Sequence, residues 1–592
     1  MSSANAPTYQ TVNDIFYTVI DFRSSDVIRA QAKDGSWESV SSAELYARVC
    51  ALAASLERLG LRKGDRVALI SENRWEWAVS DFATLAMGLV NVPMFPTLQA
   101  PQIGELLRHS GARVAIVSTR AQLKKITAVR TQTTLEHVIV MDEEAAAEGA
   151  VAFASLIEGK QEGRDAAFDA QAHSVGRDDL ASIIYTSGTT GEPKGVMLTH
   201  GNLASNVNYS LREFVFSGPQ RTVSFLPLSH VTARHADYAL YSLGFSIAYV
   251  PSLDKLMGAL KTVKPTLVVA VPRVLEKVRQ EVERRARNSK LKSAIVRWAL
   301  GVGKGNERVI LEGRTPSSPA WKLADRLFYS KVRAVFGGDI THLITGGAPL
   351  GADTAHWFAQ AGLRILEGYG LTETSPVIGV NTPSAYRLGS IGKPLPNLQV
   401  KIAPDGELLV KGESVFSGYW QSPGLTEQAF DEDGWFLTGD IAALDGDGFI
   451  TITDRKKELI KTSAGKFIAP QPIEGKLKVD HFVAHVALVG DRQKYVAALI
   501  APNFEALEPW AREKKIETAT RRELVEHPLV IERFKETVKG VNRSLADYEL
   551  LKRFALVPDE WTIDTGELTP SMKLKRRVLG ERYKEEIAGL FR

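Results

Sequence analysis

The residues best suited to chemistry lie in Tyr185-Thr186-Ser187-Gly188-Thr189-Thr190-Gly191-Glu192-Pro193-Lys194-Gly195. Small hydroxyl side chains and glycines let a backbone curve closely around an anion. Their N–H and O–H groups all donate hydrogen bonds, and Lys194 adds a full positive charge. The chemistry this suits is the gripping of phosphate. The spacing is not that of a Walker A loop, because no Lys-Ser/Thr follows the second glycine. A Gly-Thr-Thr-Gly fragment alone would read as a flexible turn. The whole string, placed directly after the apolar run 181–184, reads as a strand opening into a phosphate loop.

On this string the chain resembles the adenylate-forming superfamily, and its Thr569-Pro570-Ser571-Met572-Lys573 stretch and long 276–335 segment resemble the long-chain fatty acyl-CoA synthetases within it. Other signature stretches follow in matching order, so the resemblance covers the chain from about residue 13 to its C-terminus. It implies that Gly346-Gly347-Ala348 and Glu367-Gly368-Tyr369-Gly370-Leu371-Thr372-Glu373-Thr374 build a nucleotide pocket. There the glycines let backbone approach the adenine, Tyr369 stacks on it, and Thr372 contacts a phosphate. Glu373 and Thr186 would supply oxygens to Mg²⁺. Outside the motif, Tyr369 would read as a core aromatic and Glu373 as a solvated carboxylate.

Asp440, in Thr438-Gly439-Asp440, and Arg455, in Asp454-Arg455-Lys456-Lys457, match the family residues that reach the ribose. Lys457 matches the hinge. Lys573, in Leu568-Thr569-Pro570-Ser571-Met572-Lys573-Leu574-Lys575-Arg576-Arg577, matches the catalytic lysine. Many relatives have glycine immediately before that lysine, where Met572 stands here. Lys575 is the alternative, and Lys575, Arg576 and Arg577 also read as a solvated basic tail. His230, in Leu226-Pro227-Leu228-Ser229-His230-Val231, matches a position beside the acyl site, although a lone histidine is as readily structural. Arg234 and His235 are secondary candidates.

The reaction so implied joins a fatty carboxylate to the α-phosphate of ATP and releases pyrophosphate. Its demands are positioning and charge stabilisation. One lysine contact at ~4 Å and an effective dielectric of ~20 gives about 4 kcal/mol before desolvation. The family's C-terminal domain then rotates to admit coenzyme A, here on a face carrying Lys461 and Gly465. A glycine suits a narrow pantetheine passage.

These residues must be held by alternating helices and strands. Ser41-x-x-Glu44 is a capping box, followed by Leu45, Val49, Leu52, Leu56 and Leu59 at helical spacing, with Gly60 closing the helix. Short apolar runs at 67–70, 114–117, 138–141, 223–226 and 267–271 read as parallel strands with helices packed on them. Beyond residue 400, Asp-Gly turns punctuate a small antiparallel region. Runs at 483–489 and 495–500 flank a Gly490-Asp491 turn. The expected fold is α/β. A large N-terminal domain (1–453) of parallel-type sheets flanked by helices, plus the small β region, holds the ATP and acyl sites. A smaller mobile α+β domain (454–592) carries the lysine. Residues 276–335 read as amphipathic helices rich in Lys and Arg, either solvated or lying on a membrane surface.

The composition fits this picture. A chain of 592 residues exceeds one core. Its net charge of +4 does not suggest a nucleic-acid partner. Cys50 is the only cysteine, which excludes internal disulfides and Cys₂ or Cys₄ metal sites and fits a reducing cytoplasm. No signal peptide and no bilayer-spanning run is legible. The resemblance allows peripheral contact with the inner membrane surface and a homodimer. Competing readings are a ligase for a medium-chain or aryl acid, an enzyme passing its acyl group to a carrier protein, and a non-catalytic nucleotide-binding scaffold. No carrier-domain sequence follows the lysine motif, which argues against a peptide-synthetase module.

Overall fold

The computed structural model describes residues 8–32, 34–158, 163–187, 193–287, 289–463, 466–569 and 572–592. Its largest sheet has eight strands. In spatial order they are Gly418–Tyr419, Pro193–Thr199, Leu180–Ser187, Val90–Met94, Arg66–Ile70, Val114–Val117, His137–Val140 and Val151–Ala152. From Leu180–Ser187 to Val151–Ala152 the neighbours are parallel. Every residue of Val90–Met94 and Val114–Val117 is buried, as strands covered by helices on both faces require. One covering helix is Ser42–Arg58, which starts at the reciprocal Ser41/Glu44 capping box and is followed by Gly60 at φ +85°.

Three further sheets complete the large part. Strands Arg221–Ser224, Ser246–Tyr249, Ile28–Gln31 and Trp37–Val40 form one. Strands Leu267–Ala270, His342–Thr345 and Ile365–Gly370 run parallel and then meet Val377–Val380 and Lys393–Pro394 antiparallel. The region beyond residue 397 is the expected antiparallel sheet, Leu398–Ile402, Glu407–Gly412, Phe436–Leu444 and Ile450–Arg455. Helices Pro272–Arg287, Lys290–Gly305, Glu307–Leu311, Pro319–Ala324, Asp325–Tyr329 and Ser330–Val335 pack on the second parallel sheet through Ala299, Trp321, Phe328 and Tyr329.

The last stretch builds its own core. Strands Val483–Val489 and Val496–Pro502 are antiparallel, and Leu551–Leu556 joins the second in parallel. Helices Pro470–Lys478, Phe504–Glu513 and Pro528–Asn542 cover one face through Leu477, Leu507 and Phe534. On the other face, Leu499, Val557, Trp561, Leu568, Leu579 and Tyr583 pack directly beneath the segment that carries Lys573.

Candidate active site

The phosphate hairpin is fixed by its stem. Strand Leu180–Ser187 returns as Pro193–Thr199, with Thr186 opposite Lys194. Gly188, Thr189 and Thr190 lie outside the described residues. Lys194 places its Nζ 5.4 Å from the centre of the Tyr419 ring, a cation–π contact. The Tyr419 hydroxyl donates to Glu373 Oε1 at 2.9 Å. Two features hold Tyr419. Strand Gly418–Tyr419 pairs with Met197 and Val196, and the Tyr419 N–H donates to Thr426 Oγ1 at 2.9 Å. Glu373 sits in the 3₁₀ turn Thr372–Thr374, and its carbonyl accepts the Phe416 N–H at 2.8 Å. The segment 416–419 therefore grips Glu373 at backbone and carboxylate together. Gly370 precedes this turn because a Cβ there would stand 1.7 Å from the Pro376 carbonyl oxygen.

Tyr369 lies on strand Ile365–Gly370, and its hydroxyl donates to Asp440 Oδ2. Asp440 faces Arg455 across the antiparallel sheet and forms an ion pair with its Nε at 3.0 Å. The Asp440 side chain is only 3% exposed. Burial lifts its carboxyl above the usual range, while Arg455 and the Tyr369 hydroxyl pull it down. Gly439, at φ +71°, turns the chain so that Asp440 points at Tyr369. Glu407 braces this turn by accepting the Gly439 N–H at 2.8 Å and pairing with Lys456 at 2.7 Å.

Gly346 follows strand His342–Thr345 so closely against the next strand that a Cβ would lie 3.0 Å from the Gly368 carbonyl oxygen. Gly347 and Ala348 continue this segment. Thr372 is buried. Glu367 is half-buried, and burial pushes its carboxyl up to about 7 against the backbone N–H groups of Leu350 and Gly389.

Lys573 arrives from the C-terminal part. Its N–H donates to Thr569 Oγ1 at 3.0 Å, and its carbonyl accepts the Thr569 N–H at 2.8 Å. Met572 takes the left-handed conformation, φ +62°, to close this turn. Lys573 is exposed at the surface, although protein atoms crowd the neighbourhood of its ammonium. That desolvation, then Arg455, lowers its pKa, while Asp440, Glu458 and Glu373 hold it up. Its charge also bears on Asp440 and His230. Lys575 instead precedes helix Arg576–Arg582, with its N–H bonded to the Glu567 carbonyl at 2.8 Å.

His230 caps helix Val231–Ser242. Its Nδ1 accepts the Thr232 N–H at 3.2 Å, so the neutral ring carries its proton on Nε2. Burial, then the Lys573 charge, pushes its pKa down to about 4. Arg234 and His235 have other partners. Arg234 is fully buried, bonded to Asp81 at 2.5 Å, Tyr238 at 2.7 Å and Ser182 at 2.7 Å. It ties one sheet to its neighbouring helices. His235 Nε2 meets Ser210 Oγ at 3.0 Å in the core.

Lys457 is exposed in the turn that follows Arg455. Lys461 lies on the small hairpin Ile460–Lys461 and Phe467–Ile468, its Nζ 5.3 Å from the Phe467 ring centre. Gly465 lies outside the described residues. Sequence reasoning missed Tyr419 and Glu458. An aromatic pair behind a glycine, Gly418-Tyr419-Trp420, was the available signal for the first. For the second, an acid directly after Lys457 gave none.

The arrangement suits an enzyme that grips a nucleoside triphosphate with one part and brings a cation to it from another. By its sequence the chain belongs to the AMP-binding enzyme family, whose model matches residues 23–420 and whose C-terminal domain model matches residues 457–592. It is 36% identical over 575 residues to the long-chain-fatty-acid–CoA ligase FadD15 of Mycobacterium bovis, covering 95% of this chain and 94% of that one. It is 30% identical over 619 residues to the long-chain-fatty-acid–CoA ligase ACSBG2 of Xenopus laevis, covering 98% and 84%. Among solved structures, the fold matches the A domain of carboxylic acid reductase from Segniliparus rugosus in complex with AMP and a co-purified carboxylic acid. The TM-score is 0.75 at 21% identity, over 98% of this chain and 94% of that one.

Proposed function

We infer that the chain is a long-chain fatty acid–CoA ligase of the AMP-forming type. The substrate class is supported by 36% identity to a long-chain ligase over nearly the whole of both chains. One observation carries the assignment of residues: Lys573, 200 positions after Glu373 in the sequence, shares an electrostatic neighbourhood with Glu373, Asp440 and Arg455. We place the N-terminal adenylation domain at 1–453 and the lysine-bearing domain at 454–592.

In the first half-reaction a carboxylate oxygen attacks the α-phosphorus of ATP, the bond to the bridging oxygen breaks, and pyrophosphate leaves with its electron pair. Lys573 lies across the two anions that must meet. Its ammonium, partly desolvated by the surrounding protein, would stabilise the charge that develops there. Thr186, Ser187, Gly188, Thr189, Thr190 and Lys194 grip the outgoing phosphates. Tyr369, Gly346, Gly347, Ala348, Glu367, Gly368, Gly370 and Thr372 frame the adenine and phosphates, and Asp440 with Arg455 takes the ribose. Mg²⁺ held by Glu373 and Thr186 would neutralise phosphate charge. The donors suit it: a carboxylate on Glu373 and a hydroxyl on Thr186 are hard oxygen ligands, and an ion bound chiefly through phosphates and water needs few of them. His230, neutral above about pH 4, offers its Nε2–H at the acyl end.

In the second half-reaction the coenzyme A sulfur attacks the acyl carbon and AMP leaves. Rotation about Lys457 would withdraw Lys573 and present Lys461 and Gly465. A long-chain acid resides largely in bilayers, so the proposal includes peripheral contact with a membrane surface.

The test is thioester formation by mass, with ATP, coenzyme A and acids from C6 to C20 plus benzoate. Maximal turnover at C14–C18 is expected. Palmitate-independent pyrophosphate release, or preference for benzoate, would overturn the reading.

A further inference from the structure

Helix Lys290–Gly305 presents a surface that neither half-reaction uses. One side is pinned. Gly303 lies so close to helix Ala352–Gln360 that a Cβ would meet the Gln360 carbonyl oxygen at 1.9 Å, and the Ala299 carbonyl accepts the Tyr329 hydroxyl at 2.6 Å. The opposite side is apolar and open. Leu291 is 70% exposed and Trp298 is 40% exposed. Ala294 and Gly301 continue that exposed row, with Ile295 and Val302 half-buried beside it. The neighbouring helix Pro319–Ala324 adds Leu323, 50% exposed.

Within the helix itself the charges have one sign. Residues 289–306 contain Lys290, Lys292, Arg297 and Lys304 and no acid. Lys290, Arg297 and Lys304, seven residues apart, form one row along the flank of the stripe. None of the four makes an ion pair among the described residues. The preceding helix, Pro272–Arg287, has more cations but also three glutamates, and Arg279, Arg284, Arg285 and Arg287 are each tied to Glu281 or Glu283. Lys304 shares a surface pocket with Glu307 and Asp353, whereas Lys290, Lys292 and Arg297 remain available to an external anion.

We propose that helix Lys290–Gly305 lies flat on an anionic phospholipid bilayer, with Leu291 and Trp298 among the acyl chains and its cations at the headgroups. The occupant follows from charge complementarity. A wide, weakly curved apolar layer rimmed by negative charge matches an exposed aromatic–aliphatic stripe rimmed by unpaired cations. No helix among the described residues is long and apolar enough to cross a membrane, so the contact is peripheral.

The test is co-sedimentation of the full chain with vesicles of phosphatidylcholine alone and of phosphatidylcholine with 30% phosphatidylglycerol. Binding to the anionic vesicles only, lost in high salt, is expected. K290Q/R297Q/K304Q should weaken it about 100-fold, at about fivefold per cation. L291S/W298S should release the protein as well. Both variants should retain wild-type activity on detergent-dispersed palmitate, which also shows that they fold. The proposal is overturned by absent binding to anionic vesicles, by equal binding to neutral ones, or by variants that bind like wild type. Concentration-dependent self-association lost in L291S/W298S, without vesicle binding, would assign the face to a second copy instead. Acyl-CoA formation is measured separately, so failure here leaves the ligase reading standing.

Discussion

Replacing Tyr419 by phenylalanine isolates one atom of the site. The ring stays, so its 4.9 Å contact with Phe416 and the Lys194 cation–π contact persist. Only the hydroxyl that donates to Glu373 Oε1 at 2.9 Å is lost. Burial, then the Glu373 charge, raises the phenol's pKa, so it is a protonated donor throughout any practical assay range. A hydrogen bond to a charged group contributes about 1.5–3 kcal/mol net, which corresponds to roughly ten- to 150-fold. Without it the carboxylate keeps its backbone anchor through Phe416 but gains rotational freedom at the end that would face Mg²⁺. Tyr419→Phe should therefore lower kcat/KM for ATP by about one to two powers of ten. The Mg²⁺ concentration for half-maximal activity should rise, and the KM for palmitate should stay within about twofold. The assay is pyrophosphate release over a Mg²⁺ titration at saturating palmitate. A Mg²⁺ curve superimposed on wild type, with unchanged kcat/KM, would refute the role of Tyr419 in orienting Glu373. Tyr419→Ala also removes the ring beneath Lys194, adding about 0.5–2 kcal/mol to the loss.

Lys573→Ala should abolish acyl-adenylate formation, by about three powers of ten, yet leave thioester formation from supplied acyl-adenylate largely intact. An equal fall in both half-reactions would refute the two-state assignment. Glu367→Gln should change how stability depends on pH. The folded carboxyl titrates at about 7 against an ordinary 4.5, so the proton it holds stabilises the fold fully below pH 4.5, and that contribution is lost as pH rises through 7. Urea denaturation at pH 5 and pH 8 should show the wild type losing up to about 3 kcal/mol more than the variant. His230 stays neutral down to about pH 4, so the rate profile of adenylation should show no step near 6.5 that His230→Gln removes.

Much of this was legible because local chemistry and pattern agreed. The run at 114–117 is a strand with those bounds, the run at 483–489 likewise, and the Ser41/Glu44 capping box forms as its spacing requires. The described part of the basic stretch 276–335 is mostly helical, as its pattern suggests, but its attachment was not readable. It depends on Gly303 against a carbonyl of a helix more than fifty residues away. Tyr419 was missed for a related reason. Its strand has two residues, and it pairs with Met197 and Val196, more than 200 positions earlier. No periodicity survives in two residues, and pairing over such a separation leaves no local trace. The bracing of Gly439 by Glu407 was hidden likewise, since in sequence Glu407 is legible only as the first residue of a strand and its partner lies 32 positions on.

One feature of backbone geometry unites the chemical groups. Asp440 follows a left-handed residue, Gly439 at +71°; Lys573 follows Met572 at +62°; Glu373 lies two before Ser375 at +70°; Ala348 follows Gly347 at +80°. A left-handed residue turns the chain sharply, which changes the direction of the side chains close to it. Glycine does this without steric cost, whereas an L side chain adds about 1–2 kcal/mol. Ser375 is enclosed by the core, which holds it in place. Met572 is 55% exposed, so its side chain gains little packing in return. The turn at 569–573 is instead closed by the three hydrogen bonds of Thr569 to Met572 and Lys573. Met572→Gly should relieve the strain, offset by about 0.5–1 kcal/mol of added freedom in the unfolded chain, for a net change under about 1 kcal/mol. Activity in the first half-reaction should remain within about twofold of wild type, because the turn and the lysine it aims are unchanged. A loss of tenfold or more in adenylate formation would mean that the methionine side chain itself positions Lys573, and that the reversal of the backbone is not sufficient.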